Sequence, residues 1–186
     1  MRRFTEERAA DTPDEIWILE HRQVFTQGLN GKAEHLLNLG GIPLIHTDRG
    51  GQATYHGPGQ LIFYPLLDMR RQNLGVRRLV TYLELAAIET LKQYGIQSFS
   101  KPEAPGVYVG ERKIASIGIR IRKGSSYHGL SLNVGVDLEP FRRIHICGFP
   151  ALRATRLCDL GGPRICDEVA LPLTHHFLNL LDPSNR

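Results

Sequence analysis

At 186 residues the chain can bury one sizeable core and is short for two. Hydrophobic residues make up 41% of it and charged residues 23%, an ordinary globular balance, and no apolar run approaches the roughly 18 residues that span a bilayer. The net charge of +4 is too mild to argue for nucleic acid, though it suits an acidic protein partner.

The N-terminal stretch M-R-R-F-T-E-E-R-A-A-D lacks the apolar centre of a signal peptide, so a cytoplasmic location is expected. Residues 15–21 (E-I-W-I-L-E-H) read as a buried strand. Residues 32–39 carry a short helical pattern stopped by Gly40 and Gly41. Apolar runs of strand length follow at 42–47 and 61–67. Arg70, Arg71, Arg77 and Arg78 form the densest basic group. They read first as a solvated helix start and second as a docking patch for an acidic carrier protein. Val76, Leu79, Val80, Leu83, Ala87 and Leu91 recur at helical spacing, which predicts a helix over 76–94 with Gly95 as its stop.

A β-rich block comes next. G-V-Y-V at 106–109 leads through a turn into 113–122, where Ile117, Ile119 and Ile121 alternate with Gly118, Arg120 and Arg122. A turn at Lys123, Gly124 and Ser125 feeds a further strand over 127–136. The last helix is expected near Pro172, a residue suited to a first helical position, running to Leu181. Strands outnumber helices and the later ones follow one another through short turns. That predicts an α+β fold, a mixed, largely antiparallel sheet with helices on one side. No repeat, low-complexity tract or long linker interrupts the chain, so one domain over 1–186 is expected. Cys147, Cys158 and Cys166 are odd in number and have no C-x-x-C spacing. They read as free thiols, with neither a disulfide framework nor a zinc site.

The segment R-G-G-Q-A-T-Y-H-G-P-G-Q at 49–60 stands apart. Its glycines and proline exclude a helix, and a linker rarely carries Arg, Tyr and His among glycines. Such a backbone suits close approach of a ligand, against the blander reading of a tight hairpin connection. Three further segments matter with it: E-R-K-I-A-S-I-G-I-R, Y-H-G-L-S-L-N-V and I-C-G-F-P-A-L-R-A-T-R.

In residue order and spacing from about Glu15 to Thr155, these blocks resemble the octanoyl (lipoyl) transferases. The resemblance implies a fold shared with lipoate ligases and the catalytic domain of biotin protein ligases. It implies that Cys147, next to Gly148, carries the acyl group as a thioester, and that Lys113 faces it. An ammonium beside a thiol stabilises the thiolate, and a lysine in a partly apolar pocket can serve as a base. It implies further that the substrate site is lined by Arg49, Gly50, Gly51, Gln52, Ala53, Thr54, Tyr55 and His56, by Ser116, Ile117 and Gly118, and by Gly129, Leu130 and Ser131. Gly50, Gly51, Gly118 and Gly129 would let backbone approach a bound acyl chain. His56 and His128 read either as site groups or as satisfied core histidines, His145 as a bystander, and His175 and His176 as surface. Cys158 and Cys166 match no catalytic motif.

Two departures mark this chain: Ile146 stands where the family usually has proline, and members generally begin about twenty residues earlier, with a strand and the start of a helix. Either the start is shortened relative to the family or the sheet is expected to lose an edge strand. The implied reaction moves an octanoyl group from octanoyl-acyl carrier protein to a lysine of the lipoyl domains of 2-oxoacid dehydrogenases or of glycine cleavage H protein. No cofactor, metal, nucleic acid or membrane is expected to take part. Backbone N–H groups near Gly148 or at Gly50 and Gly51 are the candidate oxyanion donors. The rival readings are an ATP-dependent lipoate or biotin-type ligase, a lipoyl-domain amidotransferase, and a silent binder of acylated carrier proteins or nucleic acid.

Overall fold

The computed structural model describes residues 1–182 and 184. In chain order its helices and strands are α1 (Arg2–Glu7), β1 (Glu15–Leu19), β2 (Val24–Gln27), β3 (Leu44–His46), β4 (Ala53–His56), β5 (Gln60–Leu66), α2 (Val76–Gln93), β6 (Phe99–Ser100), β7 (Gly106–Val109), β8 (Arg112–Arg122), β9 (Ser125–Asn133), β10 (Arg153–Ala154) and α3 (Cys166–Leu181). The larger sheet runs β1-β5-β9-β8-β7-β6 with every neighbour antiparallel, and β10 adds to β8 in parallel. The smaller runs β3-β2-β4, with β2 parallel to β3 and antiparallel to β4. The expected α+β architecture, mixed and largely antiparallel, is what forms.

Of the stripe read from α2, the residues from Leu79 onward form core except the partly buried Val80, while Val76 is half exposed. Leu79, Leu83, Ala87 and Leu91 meet Val169, Leu173 and Phe177 of α3 and the strand residues Leu61, Phe63, Ile114, Leu130 and Leu132. Each such leucine, taken from water, stabilises the fold by about 1.5–3 kcal/mol. Phe63 and Phe177 meet edge to face at 5.2 Å. A second, smaller core joins Phe25, Ala53 and Tyr55 of the small sheet to Val136, Phe141, Ile144 and Ile146.

Several boundaries depart from the sequence reading, each for a physical reason. At 32–39 only Ala33–His35 makes a 3-10 turn. Leu36 and Leu39 turn instead into the second core, and the Leu37 and Asn38 N–H groups donate to the Arg143 carbonyl. Tertiary packing overrides the local pattern there. The strand expected over 127–136 spans Ser125–Asn133; the Val134 and Gly135 N–H groups donate to the Gly59 carbonyl. α3 starts at Cys166, so Pro172 lies inside it. Pro172 cannot donate to the Glu168 carbonyl four residues back, and that carbonyl accepts instead from the Tyr94 hydroxyl, just past α2, at 3.1 Å. The broken rung of one helix is thus completed by its neighbour. Of the basic group, Arg71 ties the N-terminal segment down, donating to Asp14 at 2.6 Å and to the Ala10 and Thr12 carbonyls.

Candidate active site

A cavity of about 240 Å³ lies between the two sheets. The loop before β4 contributes Arg49, Gly51 and Gln52, and β4 itself contributes Ala53, Thr54 and His56. From the large sheet come Ser116, Ile117 and Gly118 of β8 and Gly129, Leu130 and Ser131 of β9. Gly50 and Tyr55, also expected there, stand elsewhere. Gly50 donates its N–H to the Ile119 carbonyl, and the Tyr55 ring packs between Phe25 and Phe141 in the second core. Part of the Gly-rich segment is therefore a buried strand rather than an open loop.

The glycines serve a different approach from the one expected. A Cβ on Gly129 would sit 2.2 Å from the Phe63 carbonyl oxygen, and one on Gly118 would sit 2.9 Å from that of Gly50. Their missing side chains make room for neighbouring backbone, which brings the walls together.

Cys147 reaches the cavity from a 3-10 turn, Ile146–Gly148, held by the buried Ile146 side chain. Ile146 thus supplies an anchor in the second core at the position where proline was expected. Cys147 has φ 53° and ψ 22°, the left-handed region, where a non-glycine residue persists only when its surroundings hold it. Lys113 donates to Cys147 Sγ at 3.1 Å and to the Pro105 carbonyl at 2.8 Å, with its ammonium 5.2 Å from the centre of the Tyr108 ring. A β-bulge aims it. Tyr108 pairs with Lys113 and Val107 with Ala115, so Ile114 is the extra residue, and Lys113 and Ile114 both turn inward. Lys113 is 2% exposed and reaches the cavity only by way of the thiol.

The other candidates are placed as follows. His145 lies tilted against His35 at 5.8 Å and accepts the Gly148 N–H at its carbonyl. The Gly148 and Gly50 N–H groups are both engaged, which removes them as ready oxyanion donors. Cys158 lies beside the Asp159 carboxylate, and burial, with Glu20 nearby, pushes the Cys166 thiol up to about 12. His175 is exposed, and His176 bonds to Gln93.

Sequence reasoning missed Met1, His21, Thr26, Ile45 and Tyr64 on the cavity wall, none of which belongs to a motif. His128, open between two readings in the sequence, lines the cavity. It takes φ 59°, breaking strand alternation so that it and Gly129 both face the cavity, and it pairs with Asp48 at 3.0 Å.

Arg49 is a second buried cation beside the cavity. Its guanidinium donates to the Thr26 carbonyl and hydroxyl and to the Gln52 and Gly50 carbonyls, at 2.8 to 3.3 Å. Among the described residues no carboxylate pairs with it. Burial pulls its pKa down to about 10, against the influence of Cys147 and Tyr64.

His56 bonds Gln60 at 2.7 Å and Thr26 at 3.2 Å, and burial pushes its pKa from 6.5 down to about 3. Burial lowers His21 and His128 as well. Below pH 6.5 the unfolded chain binds protons that the folded chain refuses, so stability falls as pH drops from there toward 3. For His56 the slope is about 1.4 kcal/mol per pH unit, and His21 and His128 act in the same direction. The melting temperature should therefore decline between pH 7 and pH 5, and His56→Gln should flatten that decline. A flat melting profile for the parent protein over this range would refute the assignment.

A family model described as the lipoyl protein ligase A/B catalytic domain matches residues 1–177. Octanoyltransferases of Pseudomonas putida and Shewanella amazonensis are 59% and 54% identical over 182 and 181 residues. These matches cover 98% and 97% of this chain and 85% and 84% of the relatives. A bi-partite lipoate protein ligase of Thermoplasma acidophilum has a similar structure, with a TM-score of 0.76 at 21% identity, over 97% of this chain and 76% of that one. A biotin protein ligase of Aquifex aeolicus, solved with biotin and ATP, reaches 0.56 at 22% identity, over 84% and 69%. The two structural likenesses speak for the fold alone, and the fold is the one expected. With more than half its residues shared over nearly its whole length, the chain belongs to the octanoyltransferase family of lipoyl protein ligase A/B catalytic domains.

Proposed function

We propose that this acyltransferase carries the octanoyl group on Cys147, with Lys113 moving the protons. In this reading residues 1–186 act as one catalytic unit in the cytoplasm, where thiols stay reduced. Octanoyl-acyl carrier protein is the donor, and a lysine of a lipoyl domain or of glycine cleavage H protein is the acceptor. The observation that carries the reading is the 3.1 Å Lys113–Cys147 contact at the wall of a cavity lined by Val24, Ile45, Ile62, Ile117 and Leu130. Such walls suit an alkyl chain.

The Cys147 thiolate attacks the donor's thioester carbon, and the bond from that carbon to the carrier's sulfur breaks. The departing thiolate takes a proton from the Lys113 ammonium and leaves as a thiol. Neutral Lys113 then takes a proton from the acceptor amine as that amine attacks the Cys147 thioester. An amide forms, Cys147 departs as a thiolate, and Lys113 is an ammonium again. Exchange of one thioester for another is close to isoenergetic and conversion to an amide is downhill, so ATP is dispensable.

Intact-protein mass spectrometry after mixing with octanoyl-acyl carrier protein should show one octanoyl adduct without ATP or Mg²⁺. Lys113→Ala should slow alkylation of Cys147 at neutral pH and slow transfer with it. Adenylate formation from free octanoate, or a strict need for ATP, would favour a ligase instead.

A further inference from the structure

Behind Lys113 stands a carboxylate that the acyl-transfer steps do not use. Glu84 lies on the inner face of α2 and is 9% exposed. Its Oε1 accepts the Gly106 N–H at 2.9 Å. The carbonyl at the other end of that same peptide unit belongs to Pro105, and it accepts from Lys113 Nζ at 2.8 Å. Lys113 donates onward to Cys147 Sγ at 3.1 Å. Three hydrogen bonds thus run in series from a carboxylate, through one peptide group and an ammonium, to the sulfur. An acceptor on a peptide N–H strengthens the carbonyl of the same unit as an acceptor in its turn.

The peptide also presses on the lysine. Gly106 has φ 137°, and a Cβ there would lie 2.5 Å from Lys113 Cε and 2.5 Å from the Ala115 carbonyl oxygen. The orientation of this one peptide plane therefore decides where the ammonium points, and Glu84 holds its free end. Besides Glu84, the titratable groups facing Lys113 are Cys147 and Tyr108.

We infer that Glu84 is a positioning residue for the nucleophile, fixing through the Pro105–Gly106 peptide the carbonyl that aims Lys113 at Cys147. The inference rests on the Cys147–Lys113 pair proposed above. Its test needs no acyl donor: iodoacetamide alkylation of Cys147 in the whole chain, followed by peptide mapping between about pH 6 and pH 9. Glu84→Gln keeps an acceptor for the Gly106 N–H and should stay within about twofold of the parent. Glu84→Met removes the acceptor and should slow alkylation at pH 7 by about tenfold. It should lower the kcat of octanoyl transfer by a similar factor while leaving the donor KM unchanged. Should Glu84→Met fail to fold, Glu84→Asp, one methylene short of Gly106, should show the same loss.

An alkylation profile in the Met or Asp variant that superimposes on the parent's overturns the inference, as does a Gln variant as slow as the Met variant. Lys113→Ala separates the two layers. If Lys113→Ala slows alkylation and Glu84→Met does not, only the role of Glu84 fails. If Lys113→Ala changes nothing, the pair itself fails.

Discussion

Replacing Cys147 with serine should abolish the octanoyl adduct and lower turnover by roughly 10³-fold or more. A serine hydroxyl ionises far less readily than a thiol, and one ammonium neighbour does not make it a base-activated nucleophile. The fold should tolerate the change, since the turn is held by the buried Ile146 side chain rather than by the sulfur. Cys158→Ser and Cys166→Ser should both keep transferring. The first thiol sits against the Asp159 side chain, away from the cavity, and the second is buried and pushed up to about 12. Peptide mapping of the trapped enzyme decides the matter, and an octanoyl group on Cys158 or Cys166 would sink the assignment.

Arg49→Leu should be among the most damaging substitutions for stability. Removing the guanidinium leaves the Gly50 carbonyl without its donor and takes a charged donor from the Thr26 and Gln52 carbonyls, in a place water reaches poorly. Hydrogen bonds to charged groups contribute about 1.5–3 kcal/mol each, and the orphaned acceptor adds its own cost. A loss of roughly 3–5 kcal/mol is expected, a drop in melting temperature on the order of 10 °C for a chain of this size. A lysine in its place would bring three donors from a single point and could not reproduce the fork, so Arg49→Lys should rescue only part of the loss. Calorimetry checks this directly. A melting temperature within about two or three degrees of the parent's would show that the small sheet does not depend on this cation.

What could be read from residues alone followed the strength of the local pattern. α2 was legible because six apolar positions share one stripe and Gly95, at φ 74°, closes it. β4 was not, because A-T-Y-H is flanked by glycines and becomes a strand only when Val24–Gln27 lies beside it. The start of α3 is hidden because Pro172 suits a first helical turn, and nothing local announces that Tyr94 will satisfy the carbonyl it leaves open.

The site divides in the same way. The motif order singled out Cys147 and Lys113, which lie 34 residues apart. They meet because the two-residue β10 runs along β8, with Ala154 beside Lys113 and the Thr155 N–H on the Lys113 carbonyl. A strand that short carries no signature. Glu84 was equally silent, one acidic residue on a helix whose pattern is explained by packing.

The exchange of partners at Pro172 bears on where this molecule can move. Sliding either helix past the other would break the Tyr94–Glu168 bond together with the packing of Leu79, Leu83 and Leu91 against Val169, Leu173 and Phe177, so the pair is expected to move as a single backing plate. The long strands are fastened to that plate by Leu61 and Phe63 of β5, Ile114 of β8, and Leu130 and Leu132 of β9. β3 is fastened more lightly: it has three residues, one neighbouring strand among the described residues, Leu44 against the second core, and an Ile45 that is 53% exposed while still lining the cavity. That thin front wall is where an eight-carbon tail is expected to slip in or out. A bulky probe tethered at position 45 should therefore slow entry long before the same probe on the rear of α2 has any effect.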